Sequence, residues 1–453
     1  MEFAEGLPAS ARVRSAGWQQ QLIAAASCVL LFLSMTFPSV PALVPLKTVL
    51  FAILLAAVVL DRLARPFRLD HRLVLWTLGL TAMGFLFVLK GLWAGNAGAS
   101  AVVTVFIFWP IAFTLWIAGL TREHIFVILE RTILVATLFI GLYGVLFLLT
   151  ELNMVPDIGV VSALSLGFEN QSFGATEGYT RMAIAGINSL PFLLPCVMAI
   201  CATESSGANR NRSWKVVGWA ACAASWLIML ASGRRALFLI VFLTPLMVLF
   251  FRSFRPAAEK REGRNSVLKF SLVLAAAMVI LFASLTLVYD FDVHLLWERF
   301  AVGFDLSSQT PDNDAAPRNQ QFYALTRGWL DQPIFGAGLG ASVVGSIRSE
   351  TMPWSYELSY VALLYQTGIV GFLVYAAAIV WTFWRGIQVI GEGGQPAQIM
   401  IPLLVGLCGL LIANGTNPYL GCFDEMWTLF LPLAVINYRL AAPQLKAQEF
   451  LEL

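Results

Sequence analysis

Apolar positions along this chain neither alternate nor keep to one helical face; they run on without a break. Stretches such as 132–150 and 216–232 hold no charged residue, and each is long enough to cross a hydrocarbon core of about 30 Å as a helix. Twelve such runs can be laid out, starting near Leu22, Ala42, Leu73, Ser100, Thr132, Met182, Val216, Ala236, Phe270, Leu358, Met400 and Met426. The pattern predicts an all-α membrane protein of about 12 transmembrane helices. Its expected parts are a tail (1–21), nine spans (22–289) with an outer loop at 151–180, a large loop (290–356), three more spans (357–438) and a second tail (439–453). Inside the large loop, Phe322–Leu330 reads as an amphipathic helix, and Gly336, Gly338 and Gly340 as a tight turn.

Composition agrees. Of 453 residues, 58% are hydrophobic and 12% charged, about half the usual charged share of a soluble domain. A soluble enzyme, a nucleic-acid binder and a disordered scaffold are excluded. Six cysteines, five of them inside apolar runs and none in a CxxC, indicate neither a disulfide framework nor a zinc site, and with three scattered histidines no metal or other cofactor is expected. No cleavable signal peptide is expected, because a second apolar run follows the first. With the N-terminus inside, 20 of the 29 Lys and Arg residues fall on the cytoplasmic side, which supports that orientation and an even number of spans, with both termini cytoplasmic. The other nine are Lys47, Lys90, Arg181, Arg234, Arg235, Arg299, Arg318, Arg327 and Arg348.

Arginine at the edge of a bilayer on the depleted side is a functional candidate. Arg234 and Arg235 stand together in Ser232-Gly233-Arg234-Arg235-Ala236, between two apolar runs that leave almost no loop. A guanidinium offers a planar fork of donors suited to phosphate oxygens, and two adjacent cations invite an anion between them. A lipid pyrophosphate is such an anion. Arg327 and Arg348, in mid-loop, read as headgroup anchors; Arg181 and Arg318 fit an anchor or a ligand contact equally. Glu357, where the large loop re-enters the membrane, is a candidate general base, and a helix-capping acid is the equal alternative. Asp424 and Glu425, before the last span, read as solvated charges. Trp297, Trp329 and Trp354 suit an interfacial aromatic belt or a sugar platform.

Four blocks in order resemble the O-antigen ligase and polymerase superfamily of bacterial membrane glycosyltransferases. They are Arg181 through Gly186 and Asn188; Ser232 through Leu237; Arg318-Asn319-Gln320-Gln321-Phe322 through Pro333-Ile334-Phe335-Gly336-Ala337-Gly338; and Glu357-Leu358-Ser359-Tyr360 through Gly368 and Gly371. Family members that attach O-antigen to lipid A-core usually carry His where this chain has Glu357, a departure that favours a repeat-unit polymerase over a ligase. The resemblance implies a GT-C-like fold and glycan transfer from an undecaprenyl-pyrophosphate donor at the periplasmic face. The acceptor would be a glycan or lipid A-core, with membrane lipids and a chain-length regulator as further candidate partners. It assigns Arg234, Arg235 and Arg318 to the pyrophosphate with Arg181 in support, Glu357 to the base role, and Tyr356, Ser359, Gly336 and Gly338 to substrate contact. A polytopic transporter or flippase is the rival from another class; the absence of matched halves counts against it. A cell-wall polymerase of the shape, elongation and division type is a third reading.

Overall fold

The computed structural model describes residues 9–63, 69–156, 159–165, 172–176, 179–203, 212–257, isolated positions between 267 and 276, 316–343 and 349–451. The helices are α1 (Ala9–Thr36), α2 (Val44–Leu63), α3 (His71–Trp93), α4 (Trp109–Gly119), α5 (Glu123–Glu151), α6 (Val160–Ser165), α7 (Leu190–Thr203), α8 (Arg212–Ser232), α9 (Arg235–Arg252), α10 (Ala316–Asp331), α11 (Ser359–Glu392), α12 (Gly394–Asn414) and α13 (Phe423–Leu451). The described residues are otherwise short helical turns and loops, plus one antiparallel hairpin of β1 (Ser172–Thr176) and β2 (Tyr179–Ala183) in the 151–180 region and just beyond it.

Nine helices among the described residues are long and apolar enough to cross a membrane, so this is a multi-pass membrane protein. The run expected near Ser100 forms a shorter apolar helix, Thr104–Gly119, whose first turn is a π-helix leading into Pro110. The run near Met426 lies in α13, whereas most of the run near Phe270, the loop from 289 to 315 with Trp297, and Arg348 lie outside the described residues.

Apolar character all round a helix demands cover on every side, and α7 and α12 receive it from the helices around them. Residues Leu190 to Ala202 of α7 are all buried, against α5, α8, α9 and α12. By contrast α2, α3, α9 and α11 present exposed apolar faces with Leu60, Leu75, Phe242 and Val380, surface that water would not tolerate at this density.

The helices alternate in direction, which sorts the connections onto two ends. One end gathers residues 37–47, 90–99, 185–189, 232–235, 316–343, 349–360 and 414–425; it carries the sequence blocks described above and is called the site end here. At the opposite end stand Arg62, Arg122, Arg131, Arg252 and Arg439.

Helix α11 is broken at Gly368, with φ 62° and ψ −172°. The segment 333–338 repairs the break. Ala337 and Gly338 donate their amides to the Tyr365 and Gln366 carbonyls at 2.9 and 2.8 Å, and Ile369 and Val370 donate to Pro333 and Ile334 at 2.9 and 3.2 Å. Gly336 (φ 58°) and Gly338 (φ 91°) are where this segment passes closest: a Cβ would stand 2.5 Å from Gly368 and Tyr365 backbone, or 2.7 Å from that of Gly91. From α3 the Lys90 ammonium donates to the Phe335 and Gly336 carbonyls, and from the turn after it the Asn96 amide donates to those of Ala337, Gly338 and Leu339.

Candidate functional site

Two polar groups occupy the site end. In the first, Arg318 from the opening turn of α10 meets Glu357 just ahead of α11, Nε to Oε2 at 2.7 Å. The pair is half-solvated, with side chains 38% and 26% exposed. One turn along α10, the buried Gln321 accepts the Glu357 amide N–H at 3.1 Å. Tyr356 is fully buried and its phenol accepts the Val343 amide at 2.5 Å. Burial pushes that phenol up to about 12, so it stays neutral and pins the loop. The Ser359 hydroxyl is buried without a hydrogen-bond partner among the described residues. A buried hydroxyl left open in this way calls for a water or another partner.

The second group centres on Arg234, in the two-residue break between α8 and α9. Its guanidinium donates to Asn188 Oδ1 at 2.9 Å and to the Tyr419 hydroxyl at 3.3 Å. Burial raises the Tyr419 phenol, which Arg234 beside it partly offsets. Arg235 opens α9, and among the described residues no carboxylate contacts either guanidinium. Among the described residues the Arg234 guanidinium is therefore held by neutral oxygens.

Below Arg234 lies a layer that corrects the expectation of solvated acids. Asp424 and Glu425 are buried, 6% and 2% exposed. Asp424 pairs with the buried Lys47 at 2.7 Å and accepts the Ser39 amide at 2.8 Å, while Lys47 also reaches the Phe37 carbonyl at 2.8 Å. Glu425 Oε1 accepts from the Ser189 hydroxyl at 3.3 Å, next in sequence to Asn188. The Asp424 charge is paired because its desolvation would otherwise be prohibitive, whereas Glu425 has no cation in contact among the described residues.

The groups adjoin through the end of α12. Tyr360 donates to the Leu411 carbonyl at 2.5 Å, Asn414 Oδ1 takes the Leu420 amide at 3.0 Å, and Tyr419 beside it holds Arg234. No hydrogen bond or ion pair among the described residues joins Arg234 directly to Glu357. Arg181 lies in β2, its backbone paired with Gly174. Gly336 and Gly338 are buried in backbone contacts, as described, and Tyr356 presents no surface to a ligand. Arg327 is exposed on α10, and Trp329 donates its indole N–H to the Pro333 carbonyl.

Sequence reasoning passed over Lys47, Gln321, Gln366 and Tyr419. Lys47 carried a usable signal: a lone cation at a span's outer edge, opposite an acid pair at another. No protein-family model matches this chain, and no curated protein sequence matches it.

Proposed function

We propose that this chain is a glycosyltransferase that moves undecaprenyl-pyrophosphate-linked oligosaccharide at the periplasmic face of the bacterial inner membrane, with a polysaccharide repeat-unit polymerase as the favoured form. The observation that carries this reading is the convergence of separated sequence blocks on one end of the bundle, with Arg318 and Glu357 in contact at 2.7 Å. The arginine-rich opposite end supports the orientation, since basic residues collect on the cytoplasmic side.

In this mechanism the sugar C1–O bond to pyrophosphate breaks and negative charge grows on the leaving group. Arg234 and Arg235, whose charges no described carboxylate cancels, stabilise that charge without a metal, with Arg181 in support, while Arg318 holds Glu357. Glu357 takes the proton of the acceptor hydroxyl as that oxygen bonds to C1, with Ser359 on the acceptor side. The break in α11 has a counterpart in the discontinuous helices of transporters, but segment 333–338 consumes the freed backbone groups at Gly368 that would otherwise hold an ion.

The test is transfer of labelled glycan from a polyprenyl-diphosphate donor by the purified protein, without ATP or an ion gradient. Glu357→Gln should lower turnover by about 10²–10⁴-fold while the protein stays folded; full turnover would remove the base role. Ligase activity toward lipid A-core is the alternative, and products of a deletion strain separate the two: single lipid-linked repeats accumulate without a polymerase, long lipid-linked polymer without a ligase.

A further inference from the structure

Helix α10 places Arg318, Gln321 and Leu325 on one face, at positions i, i+3 and i+7. The lower part of that face is apolar and fixed: Leu325 is fully buried in a cluster with Tyr356, Ala362 and Tyr365, and Gly328 lets the helix lie directly on the Tyr365 ring. The upper part is polar and reaches one residue twice. Arg318 takes the side chain of Glu357, and Gln321 takes its amide N–H.

The two contacts differ in firmness. The Arg318–Glu357 pair is half-solvated, and an ion pair in that setting fixes geometry weakly. Gln321 is 5% exposed, and its bond leads straight to the backbone from which the carboxylate hangs. Around it the chain is already pinned: the Tyr356 phenol takes the Val343 amide, and Gln366 Nε2 ties the Ala341 and Trp354 carbonyls together at 3.1 and 3.2 Å. Gln321 is the contact that carries this rigidity across to α10 at residue 357 itself.

We propose that Gln321 is a positioning residue for the reaction: by holding the Glu357 amide it sets the direction in which the carboxylate faces Arg318 and the acceptor hydroxyl. This rests on the base role given to Glu357 above. A loosened carboxylate still permits the donor to bind, so the loss belongs in turnover and not in donor affinity.

The experiment compares Gln321→Met, which matches the side chain's length without an acceptor oxygen, in two backgrounds of the full-length purified protein. In the otherwise wild-type chain, kcat for glycan transfer from the polyprenyl-diphosphate donor should fall about 10- to 30-fold with donor KM within about twofold. In a Glu357→Gln background the same change should cost less than about twofold, because its effect runs through that carboxylate. Equal losses in both backgrounds, or an unchanged kcat in the first, overturn the proposal. Should Gln321→Met not fold, Gln321→Asn draws the acceptor oxygen back by one methylene from the Glu357 amide; its kcat should fall, and wild-type turnover in it is the overturning result. A wild-type protein without transfer activity removes the functional reading and this inference together, whereas active wild type, impaired Glu357→Gln and unaffected Gln321 variants remove this inference alone.

Discussion

Arg318 and Arg234 belong to the same end of the bundle, yet they are held in opposite ways. Arg318 faces a carboxylate, half-open to solvent, on a helix that belongs to the large loop. Arg234 faces an amide oxygen and a phenol, in a two-residue break between bundle helices, above a buried layer of Lys47, Asp424, Glu425 and Ser189. A guanidinium bound to neutral acceptors keeps its full charge for an incoming anion, while one bound to a carboxylate has spent much of it. The difference separates two tasks that the sequence blocks run together: Arg234 suits diphosphate binding, and Arg318 suits the orientation of Glu357.

The sharpest way to break this contrast is to attack the layer beneath Arg234. Lys47→Met leaves Asp424 buried without its cation, and we expect a loss of about 3–5 kcal/mol, read as lower yield and a lower unfolding temperature in detergent. Lys47→Met combined with Asp424→Leu should regain most of that loss. If the single change is harmless, the layer is not what supports Arg234. A smaller effect sharpens the division of tasks. Arg234→Lys keeps the charge and loses the planar fork, so donor KM should rise about 10-fold, the worth of one ionised hydrogen bond of roughly 1.5 kcal/mol. Arg318→Lys should act mainly on kcat. Should both substitutions move the same parameter, the two arginines share one task.

The helical plan was legible because each long apolar run can only be satisfied as a helix in lipid, and α7, α8, α11 and α12 stand close to the runs that predict them. The turn at Gly336 and Gly338 and the near-loopless Ser232–Arg235 break were legible for a local reason, since glycine or adjacency alone dictates them. The hairpin β1–β2 was not, because the alternation of Phe173 and Ala175 with Ser172, Gly174 and Thr176 is too short and weakly apolar to mark a strand. Asp424 and Glu425 were misread because their cover comes from far away: Lys47 is 377 positions earlier in the chain, and nothing near residue 424 announces it. Gln321 was hidden for another reason. On an amphipathic helix a glutamine reads as solvated surface, and only the packing of Leu325 on the Tyr365 cluster turns that face inward.

The smallest change tests the neutral cradle itself. Tyr419→Phe removes a single oxygen and preserves the buried ring, so the fold should be nearly unaffected. Arg234 then keeps the 2.9 Å contact to Asn188 and loses the 3.3 Å contact to the phenol. The longer contact is the weaker, and a loss of about 0.5–1 kcal/mol corresponds to a donor KM raised roughly two- to fivefold, with kcat little changed. Asn188→Ala should exceed it, since it removes the shorter bond. An unchanged donor KM in both variants would mean that Arg234 needs no cradle, and its charge would then have to be steered by the substrate alone.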